Sequence, residues 1–169
     1  MKKEMKKVLM ITLTTLMLVG CTEKEVTKVF ELTGEDAGLT YTYVETIKAV
    51  KDVVMHEKIV STLVFEDQTT EEIEIFKEIL EAEVACPYGV LDADGFQTVG
   101  CSKFIDVEYT FDEATSTFVI TENLRYKDAA KAKEDVVSVE AGGSYSNDEY
   151  YSIEMFEKDF LDAGYTIIE

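Results

Sequence analysis

The feature that most restricts the fold is an alternation of apolar and polar side chains from Lys103 to Phe111. The apolar members are Ile105, Val107, Tyr109 and Phe111, and the polar members between them are Asp106, Glu108 and Thr110. Successive side chains of a strand point to opposite faces, so this pattern predicts a strand with one buried face. Asp112–Ser116 has the composition of a turn, and Thr117–Leu124 is predicted to return as the antiparallel partner strand.

Other segments show the same period of two residues. They predict strands at Lys28–Thr33, Leu39–Glu45, Ile59–Glu66 (beginning as early as Lys51), Val136–Val139 and Tyr165–Ile168. The first two are expected to pair around the turn at Gly34–Gly38. Short connections of this kind favour an antiparallel sheet.

Helices are indicated by apolar residues that recur every three or four positions. In the first, Thr69 and Glu72 have the spacing of a capping box, followed by Ile73, Phe76, Leu80 and Val84. In the second, Ser152 is the predicted N-cap, Gly164 the predicted end, and the inward residues are Ile153, Phe156 and Phe160. A short polar helix is indicated over Tyr126–Glu134. The chain therefore predicts an α+β fold, a two-layer sandwich of a mainly antiparallel sheet with two main helices.

The N-terminus has the parts of a bacterial lipoprotein signal peptide. Four lysines precede an uncharged, mostly apolar run of twelve residues, Val8 to Val19. This run is shorter than the roughly 20 residues that cross a bilayer, but it has the length of a signal-peptide core. It leads into Leu18-Val19-Gly20-Cys21, a lipobox. We expect residues 1–20 to be removed, Cys21 to carry lipid, 21–27 to be a tether, and 28–169 to form one domain at the extracytoplasmic face of the cell membrane.

The charge of that domain excludes some partners. Without residues 1–20 the chain has 12 basic and 34 acidic side chains, a formal net charge of −22. Nucleic acid and anionic lipid headgroups would repel such a surface, so neither is an expected partner. The same charge opposes self-association, and we expect a monomer held at the membrane by its lipid.

These elements together resemble the YehR-like small lipoproteins, a family built on a domain of unknown function. The resemblance spans essentially the whole chain and includes the LVGC box, Lys28-Val29-Phe30-Glu31-Leu32, Leu39-Thr40-Tyr41-Thr42-Tyr43, the helix at 69–84, Asp106-Val107-Glu108-Tyr109 and Ala163-Gly164-Tyr165. It implies a two-layer α/β sandwich, and it implies no catalytic residues. The pair Cys86 and Cys101 is not a feature that the resemblance accounts for.

Cys86 and Cys101 are the cysteines that remain for other chemistry. Outside the cytoplasm such a pair is usually a disulfide, and the alternative is two reduced, partly buried thiols. Cys86-Pro87-Tyr88 is similar to part of a glutaredoxin active site. It follows a helix and does not precede one, and the chain has no second proline, so we do not expect thiol catalysis.

No other motif selects a catalytic residue, a cofactor or a metal. Asp92-Ala93-Asp94-Gly95 begins like a calcium loop, but the sixth and twelfth positions are Gln97 and Lys103. His56 is the only histidine, which argues against a histidine-bound zinc and against a catalytic triad. Tyr145, Tyr150 and Tyr151 are either an exposed recognition patch or ordinary half-buried residues.

The sequence thus favours a non-catalytic binding or interaction module of the cell envelope, whose partner is a protein or a small ligand. The alternative is a carboxylate-dependent envelope hydrolase, which would use an acidic pair that the sequence does not identify. A cleft with two facing carboxyl groups, one of raised pKa, would favour the enzyme. An exposed apolar patch would favour the binding module. A solute-binding transport protein is a third reading, disfavoured because the chain is short for two lobes.

Overall fold

A computed structural model describes residues 24–36, 38–88, 90–91, 97–99, 101–132 and 152–168. The strands are β1 (Glu25–Asp36), β2 (Leu39–Val50), β3 (Val53–Phe65), β4 (Val90–Leu91), β5 (Gln97–Val99), β6 (Ile105–Asp112), β7 (Thr117–Leu124) and β8 (Thr166–Ile167). The helices are α1 (Thr70–Ala85), α2 (Tyr126–Ala132) and α3 (Ile153–Asp162). No helix within these ranges is long and apolar enough to cross a membrane.

Six of the strands form one antiparallel sheet in the order β6-β7-β3-β2-β1-β8. The predicted α+β class and the mainly antiparallel sheet are therefore confirmed. β2 extends beyond the predicted Leu39–Glu45, and β3 begins close to the earlier start at Lys51 that the sequence allowed. The two strands meet at a tight turn in which Lys51 has a φ of 61°. Because β2 continues to Val50 and β3 starts at Val53, the residues on either side of the turn belong to the sheet.

One face of the sheet, which we call the inner face, carries the core. It includes Phe30 of β1, Ile47 of β2, Leu63 of β3, Phe118 of β7 and Val107 of β6, all buried. The opposite side of the sheet is called the outer face.

Two helices contact the inner face through phenylalanines. On α1, the ring centroid of Phe76 lies 5.2 Å from that of Phe65 and 4.9 Å from that of Phe118. On α3, Phe160 lies 5.0 Å from Phe30. The apolar side of each helix therefore packs against the sheet. Each aromatic pair at these distances stabilises the fold by about 1 kcal/mol beyond the effect of buried area alone.

The ends of the two longer helices are where the sequence predicted them. Thr69 and Glu72 form the reciprocal capping box, in which the Thr69 N–H donates to Glu72 Oε2 over 2.8 Å. The Ser152 hydroxyl accepts from the backbone N–H of Glu154, and Gly164 adopts a φ of 96° after α3. The predicted strand at Val136–Val139 lies outside the described residues.

Candidate functional site

Three glutamates lie on the inner face, among residues that are otherwise apolar or aromatic. Glu45 of β2 is paired with Ile59 of β3, and Ile59 is paired in turn with Glu122 of β7. Glu57 lies two residues before Ile59 on the same face. Glu45 is 6% exposed and Glu57 is 4% exposed, and Glu122 is half-buried. A carboxyl group buried to this extent requires partners that satisfy its oxygens.

Three tyrosines supply those partners. The Tyr126 hydroxyl donates to Glu57 Oε2 over 2.6 Å, and the Tyr88 hydroxyl donates to Glu122 Oε2 over 2.9 Å. Tyr165 is hydrogen-bonded to Glu45. The tyrosines come from three separate places, namely the start of α2, the segment after α1 and the segment after α3. The acidic-tyrosine cluster, as we call these six residues, therefore joins the sheet to the elements that lie over it.

The cluster holds at least one proton near neutral pH. The pKa of Glu57 is raised to about 8, mainly by burial and also by the nearby carboxyl groups of Glu45 and Glu122, against the lowering effect of the Tyr126 hydroxyl. Burial also raises the pKa of Glu45 and of Glu122. Glu45 and Glu57 lie close enough to raise each other's cost of ionisation, because two carboxylates would place like charges side by side in a buried site. The pair is therefore an acid that keeps its proton at pH 7.

A disulfide between Cys86 and Cys101, with Cα atoms 4.7 Å apart, lies beside the cluster. The adjoining segment is fixed by a hydrogen bond of 2.8 Å from the Ser102 N–H to the Pro87 carbonyl. The backbone N–H of Tyr88 donates to Glu83 Oε1 over 2.7 Å. These bonds hold Tyr88 where its hydroxyl reaches the cluster. Within the disulfide loop, β4 and β5 form a small hairpin, whereas the sequence indicated little regular structure there.

Three large apolar residues of α1 are exposed, including Val84 at 41%, which the sequence placed in the apolar repeat of the helix. The other two lie together. Ile75 is 51% exposed and Ile79 is 57% exposed. They lie one turn apart on the same side of the helix, and the exposed carboxylates of Glu71 and Glu78 are their neighbours at helical spacing. We call these four residues the α1 patch. An apolar pair with an acidic border is suited to a partner that has an apolar centre and basic edges.

The structure separates the other residues that the sequence singled out. His56 lies on β3 opposite Lys48, on the outer face and away from the glutamates. Cys21, the Asp92–Gly95 segment and the tyrosines Tyr145, Tyr150 and Tyr151 lie outside the described residues. Among the residues that the structure describes, no group of three or more His, Cys, Asp or Glu is placed to hold a metal ion.

The acidic-tyrosine cluster was not predicted from the sequence. A signal for it exists, because Glu122 interrupts an apolar alternation that runs through Phe118, Ile120 and Leu124. The same is true of Glu45, which follows Tyr43 and precedes Ile47 on one face of β2. A charged residue at an inward position of a strand marks a buried carboxyl group that needs a partner.

Comparison with known proteins gives little. No family model matches the chain, and no curated protein matches it. A solved structure described as "NMR structure of the protein from Streptococcus pneumoniae TIGR4" is similar at 16% identity and a TM-score of 0.47, over 88% of this chain and 87% of that chain.

Proposed function

We propose that this chain is a lipid-anchored lipoprotein of the extracytoplasmic membrane face whose domain is a non-catalytic module for binding another protein. The anchor is supported by the signal peptide and the lipobox at Cys21. The resemblance to YehR-like lipoproteins supports the same location. For the domain we propose the two-layer sandwich, since Phe76 of α1 and Phe160 of α3 both contact residues of the inner face.

The observation that carries the binding proposal is the exposure of Ile75 and Ile79 on α1. Leaving two such side chains in water forgoes about 1.5–3 kcal/mol for each one that could be buried. A partner that covers them recovers this free energy. The carboxylates of Glu71 and Glu78 favour a partner with lysine or arginine around its apolar contact. The proposed ligand of the α1 patch is therefore a basic, amphipathic protein surface.

Crosslinking in intact cells tests the proposal. The lipidated protein is compared with an Ile75→Lys, Ile79→Lys double variant, which places two cations where the partner's basic edge would lie. The matched control is Met155→Lys, because Met155 is 60% exposed but lies on α3. We expect the crosslinked partner to be lost from the α1 variant and retained by the control. Equal capture by both variants, each with a native circular dichroism spectrum, would refute the α1 patch as the binding surface.

The second candidate function is a carboxylate-dependent hydrolase, and the Glu45–Glu57 pair favours it. A carboxyl group with a pKa near 8 has the protonation state of a general acid. The burial of the two residues opposes this function, because Glu45 is 6% exposed and Glu57 is 4% exposed and a substrate would have to reach both carboxyl groups. Glycosidase carboxyl groups lie about 5 to 9.5 Å apart with the sugar between them. Release of sugar from purified cell wall by wild-type protein, abolished in Glu57→Gln, would establish the hydrolase instead.

A further inference from the structure

A hollow of about 290 Å³ opens at the outer face, at the end of the sheet where β1 begins. Its charged lining residues are Glu25, His56, Arg125, Lys127 and Asp128. The hollow and the acidic-tyrosine cluster lie on opposite faces of the sheet. For example, His56 and Glu57 are neighbours on β3, and their side chains point to opposite faces. No part of the proposed function uses it.

The charged side chains at this hollow depart from the acidic balance of the whole molecule, whose net charge is −19. In the lining, Arg125 and Lys127 balance Glu25 and Asp128, and the charges of Lys48 and Lys58 also act on His56. Lys48 lies directly opposite His56 in the β2–β3 pairing. Arg125 lies close to His56, because Leu124 is paired with Glu57 and the next residue along the chain is Arg125. Burial lowers the pKa of His56, and the charges of Lys48, Arg125 and Lys58 lower it further.

Acidic residues neutralise part of this charge. Arg125 is paired with Asp106, and its Nε lies 4.0 Å from Asp128. Lys48 lies 3.9 Å from Glu25, both of them exposed. Lys127 forms no ion pair with any described residue, nor does His56. These two side chains are the groups that an added anion would meet first.

We propose that the hollow binds a phosphate group through the Lys127 ammonium, the Arg125 guanidinium and the His56 ring, which takes up a proton when the anion binds. Lysine, arginine and imidazolium are the usual donors to phosphate oxygens, and an anion here would relieve the repulsion between the cations. The position of the hollow suggests one source. Cys21 lies four residues before Glu25, which is at most about 14 Å along an extended chain. If Cys21 carries lipid, the headgroup phosphates of the membrane are the nearest anions. The membrane headgroup as the source of the phosphate rests on the proposed lipid anchor, whereas the phosphate site itself does not.

His56 is the only histidine, so its ring gives a single NMR signal for the test. The full-length protein, labelled with ¹³C at histidine, is titrated with pH in micelles of a neutral glycoside detergent, which carries no phosphate. One arm adds inorganic phosphate, one adds phosphatidylglycerol to the micelles, and a control adds sodium chloride to equal ionic strength. Binding of an anion favours the charged ring, so we expect the pKa of His56 to rise by about one unit above the chloride control.

Two variants assign the effect to the hollow. Lys127→Gln should weaken phosphate binding about tenfold, because a charge-assisted bond is lost. Lys158→Gln removes the same charge from α3, where Lys158 pairs with Asp162 outside the hollow, and should change binding less than about twofold. A rise with inorganic phosphate alone supports the site and identifies a soluble phosphate as its ligand. A rise with phosphatidylglycerol identifies the headgroup. No rise beyond chloride in either arm, or equal loss in both variants, would overturn the proposal, whatever happens at the α1 patch.

Discussion

Replacing Glu57 by glutamine tests whether a buried proton stabilises the domain. Glutamine has nearly the same shape and cannot ionise. The pKa of Glu57 is about 8 in the folded chain, against 4.5 for the ordinary side chain. Between these values the folded protein binds a proton that the unfolded chain has released. Stability must therefore fall as the pH rises through this window, and it should become level above about pH 8.

The magnitude follows from proton linkage. One proton bound only by the folded state changes the free energy of unfolding by about 1.4 kcal/mol per pH unit. From pH 5.5 to 7.5 the wild-type protein should lose about 3 kcal/mol through this site. The raised pKa of Glu45 acts in the same direction. In Glu57→Gln most of this slope should disappear, so the variant should be the more stable protein at pH 7.5.

Urea denaturation at pH 5.5, 6.5 and 7.5 and constant ionic strength measures both slopes. The control is Glu108→Gln, which removes an exposed carboxylate from the outer face of β6 and leaves the cluster intact. Subtracting the control removes the general effect of lowering the negative charge. Wild-type stability that is flat or rises with pH, or an equal slope in Glu57→Gln, would show that the pair holds no proton of this kind.

Three further predictions concern the lipid anchor, the disulfide and the helix cap at Thr69. Cys21→Ser should abolish fatty-acid labelling of the protein in cells, and label retained by the variant would refute the lipid anchor. Replacing Cys86 and Cys101 by serine should lower the free energy of unfolding by about 3 kcal/mol, measured in urea, while intact mass shows that the wild-type thiols resist alkylation before reduction. Thr69→Ala should cost about 1 kcal/mol in the same assay, and a change below about 0.3 kcal/mol would mean that the capping box contributes little.

The sequence predicted best those elements whose signals are local. The β6–β7 hairpin follows from alternation and a turn, and α1 follows from its capping box and apolar period. The predicted end of β2 was wrong, because Glu45 interrupts the apolar alternation and the predicted strand stopped there. For β3 the sequence allowed a start at Ile59 or as early as Lys51, and the strand begins at Val53, before Glu57. The real strands continue through both because tyrosines distant in sequence satisfy the buried carboxyl groups.

A periodic pattern in the sequence does not identify contacts between residues that are far apart in the chain. Tyr126 and Glu57 are 69 residues apart, and Tyr88 and Glu122 are 34 residues apart. Only the strand order, with β7 beside β3, brings them together. A carboxyl group in a chain with 35 acidic residues has no property of its own that reveals such a partner. The inward position of Glu45 could therefore be recognised from the sequence, but the residues that partner each carboxyl group could not.

The position of β8 beside β1 affects the order in which the chain can assemble. The Thr166 hydroxyl donates to the Glu31 carbonyl across 135 residues, and Phe160 of α3 covers Phe30. β1 is synthesised before most of the domain. The edge of β1 that pairs with β8, and the side chain of Phe30, are covered only after the C-terminal segments have been made. Contacts this remote slow folding, and an uncovered strand edge invites pairing with another chain. Purified chains that stop before α3 should therefore self-associate through β1, and chains that extend through Ile168 should not, which size-exclusion chromatography would measure.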